Sequence, residues 1–410
     1  LSDPIYGGVI AEVNAPLTYQ VEFADRTSEE FSIDVFNHPR LEAVDAVIKP
    51  PAYTGLDERV EEDTRYIHAI AGAEIQLRLH INKMIDAGSL QADGHDSVVL
   101  HPDPENPNQL IATLTATEKL TYGVHLQDSH GRNQKSVEHI LIEVRKNAAP
   151  VVKVTFPTRD IEASPIQEVR FAADIQDDIG LEKYGITYTV KGETTEVELG
   201  DRVVGADKQS VEHMLPLENH DAKPNDLVSW FFWAEDRADA GRIRRVESDM
   251  FFVEVHHFEE IFREGMPPPP GESGQPPMQS EELLKDQKKI IMATWKLKRH
   301  DDHNDYTEPR NADVIEIQSG QEQILEKAGG MLVQITDEEM TGYLKAAMGF
   351  METAIDDLGL AAHPETPAPL TTALVNEQKA YEELIKMRGR EFQVVRQQQS
   401  QSSSSSSSRS

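Results

Sequence analysis

Apolar and polar residues alternate along most of the chain up to about position 256, in short runs separated by turn-forming residues. Ile75, Leu77, Leu79 and Ile81 make one run, and Leu110, Ala112 and Leu114 another. Further on, Val152, Val154 and Phe156 are followed by Val169, Phe171, Ala173 and Ile175, then by Tyr184, Ile186, Tyr188 and Val190. A period of two sends one side of each run into a core and the other into water, so each run predicts a half-buried strand.

One pattern recurs three times. Leu17 to Asp25 reads LTYQVEFAD, Leu120 to Asp128 reads LTYGVHLQD, and Val228 to Asp236 reads VSWFFWAED. A polar turn and a second apolar run follow each copy: Phe31, Ile33, Val35, then Ile140, Ile142, Val144, then Phe252 and Val255. Two such runs across a polar turn predict a β-hairpin. About seven short strands per hundred residues, with turn signals between them, predict immunoglobulin-like sandwiches closed by these hairpins. Two whole sandwiches fit, over 38–146 and 147–256. Residues 1–37 hold only a closing hairpin, so the chain is expected to start inside an earlier domain. Tyr19, Tyr122 and Trp230, near the start of each closing hairpin, are expected to pack in cores.

Beyond 257 the period lengthens. Residues 257–279 are rich in proline and predict an extended linker. Leu284, Ile291 and Trp295 share one side of a predicted helix over 280–299. Ile317, Ile324, Ala328 and Met331 do the same over 313–332. Thr336 and Glu339 spell a capping box for a third helix with Met340, Tyr343, Ala347, Met351, Ala354 and Leu358 along it. After the break HPETPAP, Leu374, Tyr381, Ile385, Phe392 and Val395 line a fourth. Residues 280–398 thus read as a helical bundle or a set of docking helices, and 399–410 as a disordered Gln/Ser-rich tail. The fold class is multidomain, β then α.

Charge narrows the list of partners. A net charge of −32 would be repelled by nucleic acid and by an anionic membrane surface. The chain has no cysteine, which excludes disulfides, thiolate metal sites and cysteine nucleophiles. No apolar run reaches the length of a membrane span, and no stretch of this sequence is expected to act as a signal peptide. The first residue, Leu1, suggests a processed or excised piece.

The acids are the remaining chemistry. Asp174, Asp177 and Asp178 cluster in ADIQDDIGL, at a turn between two strands of the later sandwich. Such carboxylates either cap turn amides or, if they converge, offer oxygens to calcium. The repeated Asp128 and Asp236 begin hairpin turns and are expected to cap them. HDDHND, from His300 to Asp305, offers two imidazoles for zinc but sits in a polar connection. VHHFEE, with His256 and His257, lacks the order that puts two imidazoles on one helical face. No nucleophile elbow, phosphate loop or dinucleotide fingerprint occurs, so no enzyme and no cofactor is expected.

VIKPPAYTGL (Val47 to Leu56), DIQDDIGLEKYGITYTV, LLKDQKKIIMATWKL and NEQKAYEELIKMRGREFQVVR occur in this order and cover nearly the whole chain. Together they resemble the bacterial domain-of-unknown-function family four-one-seven-five. The resemblance implies a membrane-anchored envelope protein with sandwich repeats and a helical region, here without its N-terminal anchor. It brings no catalytic residues. The sequence reading is therefore a non-enzymatic envelope scaffold or interaction protein on the extracytoplasmic side. Its sandwiches would be spacers and its helices would meet a protein partner. The alternative is a calcium-dependent adhesive module using Asp174, Asp177 and Asp178.

Overall fold

A computed structural model describes residues 7–238, 241–257, 279–302, 310–362 and 368–406. The chain forms two compact units, Leu1–Lys146 and Asn147–Ser410.

The first unit is built on a sandwich of two five-stranded sheets. One runs in the order Val98–Val99, Ala87–Gln91, Leu120–Gln127, Glu138–Arg145, Tyr66–Ile70. The other runs His101–Pro102, Gln109–Thr115, Glu74–Ile81, Leu41–Lys49, Arg59–Glu61. In Glu74–Ile81 the alternation is complete: Ile75, Leu77, Leu79 and Ile81 are buried and the residues between them are not. They meet Tyr122, Val124, Leu126, Ile140 and Ile142 of the closing hairpin in one apolar core. Glu138–Arg145 also pairs in parallel with Tyr66–Ile70.

Ahead of this sandwich, Leu17–Tyr19 pairs with Phe31–Ile33, and Tyr19 stacks on Phe31 with ring centroids 5.3 Å apart. Tyr122 and Val124 are buried, whereas the matching Tyr19 and Val21 of this hairpin are exposed. Among the described residues no further strand pairs with Leu17–Tyr19 or Phe31–Ile33.

The second unit opens with another sandwich. Its smaller sheet holds Val151–Phe156, Glu168–Gln176 and Gln209–Pro216. Its larger sheet runs Ile161–Ala163, Phe251–Val255, Leu227–Arg237, Gly180–Val190, Glu193–Val204, with Ile243–Glu247 pairing the far part of Leu227–Arg237. Again the last strand pairs in parallel with an early one, Ile161–Ala163. Trp230 lies in the core against Phe171, ring centroids 4.3 Å apart. Where Gly185 crosses Trp233, a Cβ would run into the indole and the Val197 carbonyl, so only glycine fits that crossing.

Four helices complete this unit: α1 (Gln279–Asp302), α2 (Arg310–Leu332), α3 (Glu338–Ala361) and α4 (Ala368–Ser406). The apolar stripe of α3 is Met340, Leu344, Ala347, Met351, Ala354, Leu358 and Ala361, all buried. Its N-cap is Asp337, which accepts from Met340 N at 2.9 Å, and not Thr336 as the sequence suggests. Arg390 of α4 pairs with Asp337 at 3.0 Å, so the carboxylate caps the helix and ties it to α4 together. α4 continues to Ser406, into the stretch expected to be a disordered tail.

The helices do not stand apart from the sandwich. Leu227 and Phe252 of the larger sheet, with Met250 just before its last strand, belong to the same apolar core as α1 to α4. Strand Leu227–Arg237 is buried at nearly every position because the sandwich core covers one face while Phe231, on the other, packs on the helical core. The linker and zinc readings over 258–278 and 303–309 lie outside the described residues, as do the side chains of 300–310.

Candidate functional site

The three candidate calcium ligands sit at the end of Glu168–Gln176 and in the turn that follows it. Asp177 points inward, and its Oδ2 accepts from Ile179 N at 2.8 Å and Gly180 N at 2.7 Å. This is the Asx cap that starts the next strand. Oδ1 of Asp177 is buried with no hydrogen-bond partner. Asp178 instead accepts from Ala148 N at 3.2 Å. Asp174 pairs with Lys208 at 2.7 Å and accepts from Ser210 Oγ at 2.7 Å. The Lys208 ammonium and the Ser210 hydroxyl hold its carboxyl below the usual range. Each carboxylate therefore has its own partners, and among the described residues no three His, Asp or Glu gather into a set that could hold a metal ion.

Nearby, a cationic side chain occupies a cluster of oxygens. Asp236 is fully buried and paired with Arg244, whose Nε donates at 3.0 Å. The same guanidinium reaches Asn147 Oδ1 at 3.3 Å and the Ala148 carbonyl. Burial pushes the Asp236 carboxyl up, Arg244 opposes that, and the charge of Asp177 adds to it. Arg244 thus supplies the positive charge that a divalent ion would bring.

The other copies of the repeated Asp have different surroundings. Asp128 Oδ1 accepts from His130 N and Arg132 N, both at 2.9 Å, and Oδ2 takes Lys83 Nζ at 2.7 Å. Lys83 and those amides hold its carboxyl far below the usual range. Asp25 is exposed. Turn capping accounts for Asp128, and ion pairing for Asp236. With Asp174, Asp177 and Asp178 so engaged, about 1 mM calcium, set against excess EDTA, is expected to leave the melting midpoint unchanged. A rise of several degrees that vanishes in Asp177→Asn/Asp178→Asn would show that the turn opens to bind the ion.

A dense ionisable cluster joins the sandwich to the bundle, and sequence reasoning missed it. Glu254, on the last strand, receives Arg388 at 2.5 Å and the Tyr381 hydroxyl at 2.9 Å, both from α4. His256 lies 3.5 Å from Glu254 and 3.9 Å from Glu162. Burial alone would raise the Glu254 carboxyl; His256, Arg388 and Tyr381 outweigh it and hold it at about 2. Glu254 in turn raises the His256 imidazole, and burial together with Glu254 raises the Tyr381 phenol. VHHFEE drew attention to His256 for its spacing, while Glu254, two residues earlier, gave no motif. Its partners lie 127 and 134 residues away.

A groove of about 420 Å³ lies in the first unit, lined by His38, Arg40, Asn82, Gln134, Lys135 and Glu138 among others. The Gln134 side chain acts there as a piece of strand, accepting from Leu126 N and donating to the Val124 carbonyl, both at 2.7 Å. Among the described residues, no helix is long and apolar enough to cross a membrane.

No protein-family profile matches the chain, and no curated protein does. Solved structures overlap parts of it. Fibronectin(III)-like modules of CbhA from Clostridium thermocellum are 16% identical over 47% of this chain and 90% of theirs, at a TM-score of 0.18. A DUF4785 family protein from Legionella pneumophila is 7% identical over 58% of this chain and 90% of its own, at 0.19. A marsupial T cell receptor is 10% identical over 45% of this chain and 97% of its own, at 0.15. At these scores the fold rests on the strand pairings themselves.

Proposed function

We propose that the chain is a non-enzymatic scaffold or interaction protein of the bacterial cell envelope, on the extracytoplasmic side. Its immunoglobulin-like sandwiches serve as spacers, and a partner protein docks on the helical end. The observation that carries this reading is the common core of the bundle and the second sandwich. Helices with their apolar stripes turned inward form a rigid cap on the sandwich, so docking uses the cap's outer surface. The engagement of the candidate acids with turn amides, Lys208 and Arg244 also supports a structural role for them.

The test uses the full chain with a photo-crosslinking residue at one exposed position at a time. Ile315, Leu360 and Val333 just past α2 report on the helical region, and Val60, Val99 and Val151 on the sandwiches. Adducts to a single envelope protein from the helical positions alone are expected. Adducts from the sandwich positions alone would overturn this division of labour.

A further inference from the structure

Three consecutive residues near the N-terminal end of α4 reach three different elements. Asn376 donates to Asp357 of α3 at 3.0 Å. Glu377 Oε1 accepts from Thr294 Oγ1 of α1 at 2.8 Å. Gln378 reaches Ser229 Oγ at 3.4 Å and Met250 Sδ at 3.2 Å, both in the sandwich. Contacts from α4 to α1, α3 and the sandwich therefore meet around one turn, and at its centre is an acid.

Glu377 and Thr294 are both fully buried, and Glu377 Oε2 has no hydrogen-bond partner. Several charged side chains on the surrounding elements have partners of their own. Lys298 of α1 pairs with Glu247 of the sandwich, and Arg299 with Asp249. Lys379 of α4 lies over the Phe350 ring of α3, and Tyr381 bonds Glu254. Asp357 of α3 is taken by Asn376, and the buried Gln321 of α2 is bonded to Gln287 of α1 at 2.8 Å. A carboxylate at this place would be a desolvated charge with one hydroxyl to stabilise it. A carboxylic acid needs no counter-charge there.

We infer that Glu377 is a proton latch: the bundle closes on its neutral acid and loosens around its carboxylate, so one buried side chain sets how firmly α4 holds α1, α3 and the sandwich. Burial pushes this carboxyl up to about 8, against the opposing hydrogen bond from Thr294. In the opened state it returns to the ordinary carboxylate range. The latch is thus at full strength below that range, weakens as pH rises, and is fully lost above about 8.

Hydrogen exchange of α1 and α4 across pH, corrected for intrinsic rates, reads this directly in the full chain. Between about pH 5 and pH 8, wild-type protection is expected to fall up to roughly tenfold per pH unit. Glu377→Gln keeps the Thr294 bond and removes the titration, so its protection should fall much less. His256 also loses its contribution as pH rises, because Glu254 raises its imidazole, and the comparison with Glu377→Gln cancels that part. Parallel decay in the two proteins overturns the proposal. Should Glu377→Gln fail to fold, the carboxyl carbon resonance of Glu377 in the wild type decides. A midpoint several pH units above the ordinary range supports the latch, and an ordinary one overturns it.

Discussion

Arg388→Met is expected to destabilise the second unit by about 3–5 kcal/mol, the cost of leaving a buried charge without its partner. The guanidinium sits 2.5 Å from Glu254, and neither side chain is more than 18% exposed. Methionine fills much the same space, so the loss comes from electrostatics more than from packing. Chemical denaturation should show it as a lower midpoint with an unchanged slope. Adding Glu254→Gln to Arg388→Met should recover a large part of the loss, since the variant then buries no bare carboxylate. Equal losses in the single and double variants would mean that Arg388 acts by packing. The acid limb gives a second check. Glu254 is held at about 2, below its unfolded value, so its contribution is complete above the ordinary carboxylate range and fades as pH falls toward 2. Arg388→Met should flatten that limb.

Trp295→Ala is expected to cost about 3–5 kcal/mol, the usual range for truncating a buried aromatic residue. The indole is buried between α1 and the sandwich, with its ring 4.4 Å from that of Phe231 and Nε1 donating to the Ser248 carbonyl at 3.1 Å. Removing it opens a cavity and deprives a buried carbonyl of its donor. Because the loss falls on the seam between bundle and sheet, the helices should melt ahead of the sandwich. Helical circular dichroism and the fluorescence of the remaining Trp230 and Trp233 would then report separate transitions. Coincident transitions at the wild-type midpoint would show that Trp295 is not what joins them. Trp295→Phe, which keeps a ring, should lose less.

The strands were legible because alternation and burial coincide, as in Ile75 to Ile81. The number and order of the helices were legible for the same reason at the longer period. What α1 to α4 pack against was harder to read, although VSWFFWAED held the signal. A strand apolar at both parities has both faces covered, and a sandwich core covers only one. Its aromatic residues drew attention as core packing, and the outer face went unread. The cap of α3 was misplaced by one residue because Thr336 and Asp337 are both good caps, and the deciding Arg390 is distant in sequence. The Asp cluster showed the opposite difficulty. Adjacent letters left calcium convergence open beside turn capping, but along a strand and its turn Asp174, Asp177 and Asp178 have separate partners. No local spacing could join Glu254 to Tyr381 and Arg388, because only the docking of α4 does so.

The parallel pairing of the closing strands has a mechanical consequence. Five residue pairs join Glu138–Arg145 to Tyr66–Ile70, and three join Phe251–Val255 to Ile161–Ala163. When two parallel neighbours are drawn apart along their length, their bridges are loaded in shear and must give way together. An antiparallel hairpin pulled from its open end instead unzips one bridge at a time. A sandwich closed in this way is expected to resist tension along these strands better than its modest number of bridges suggests, and the longer of the two clamps belongs to the first sandwich.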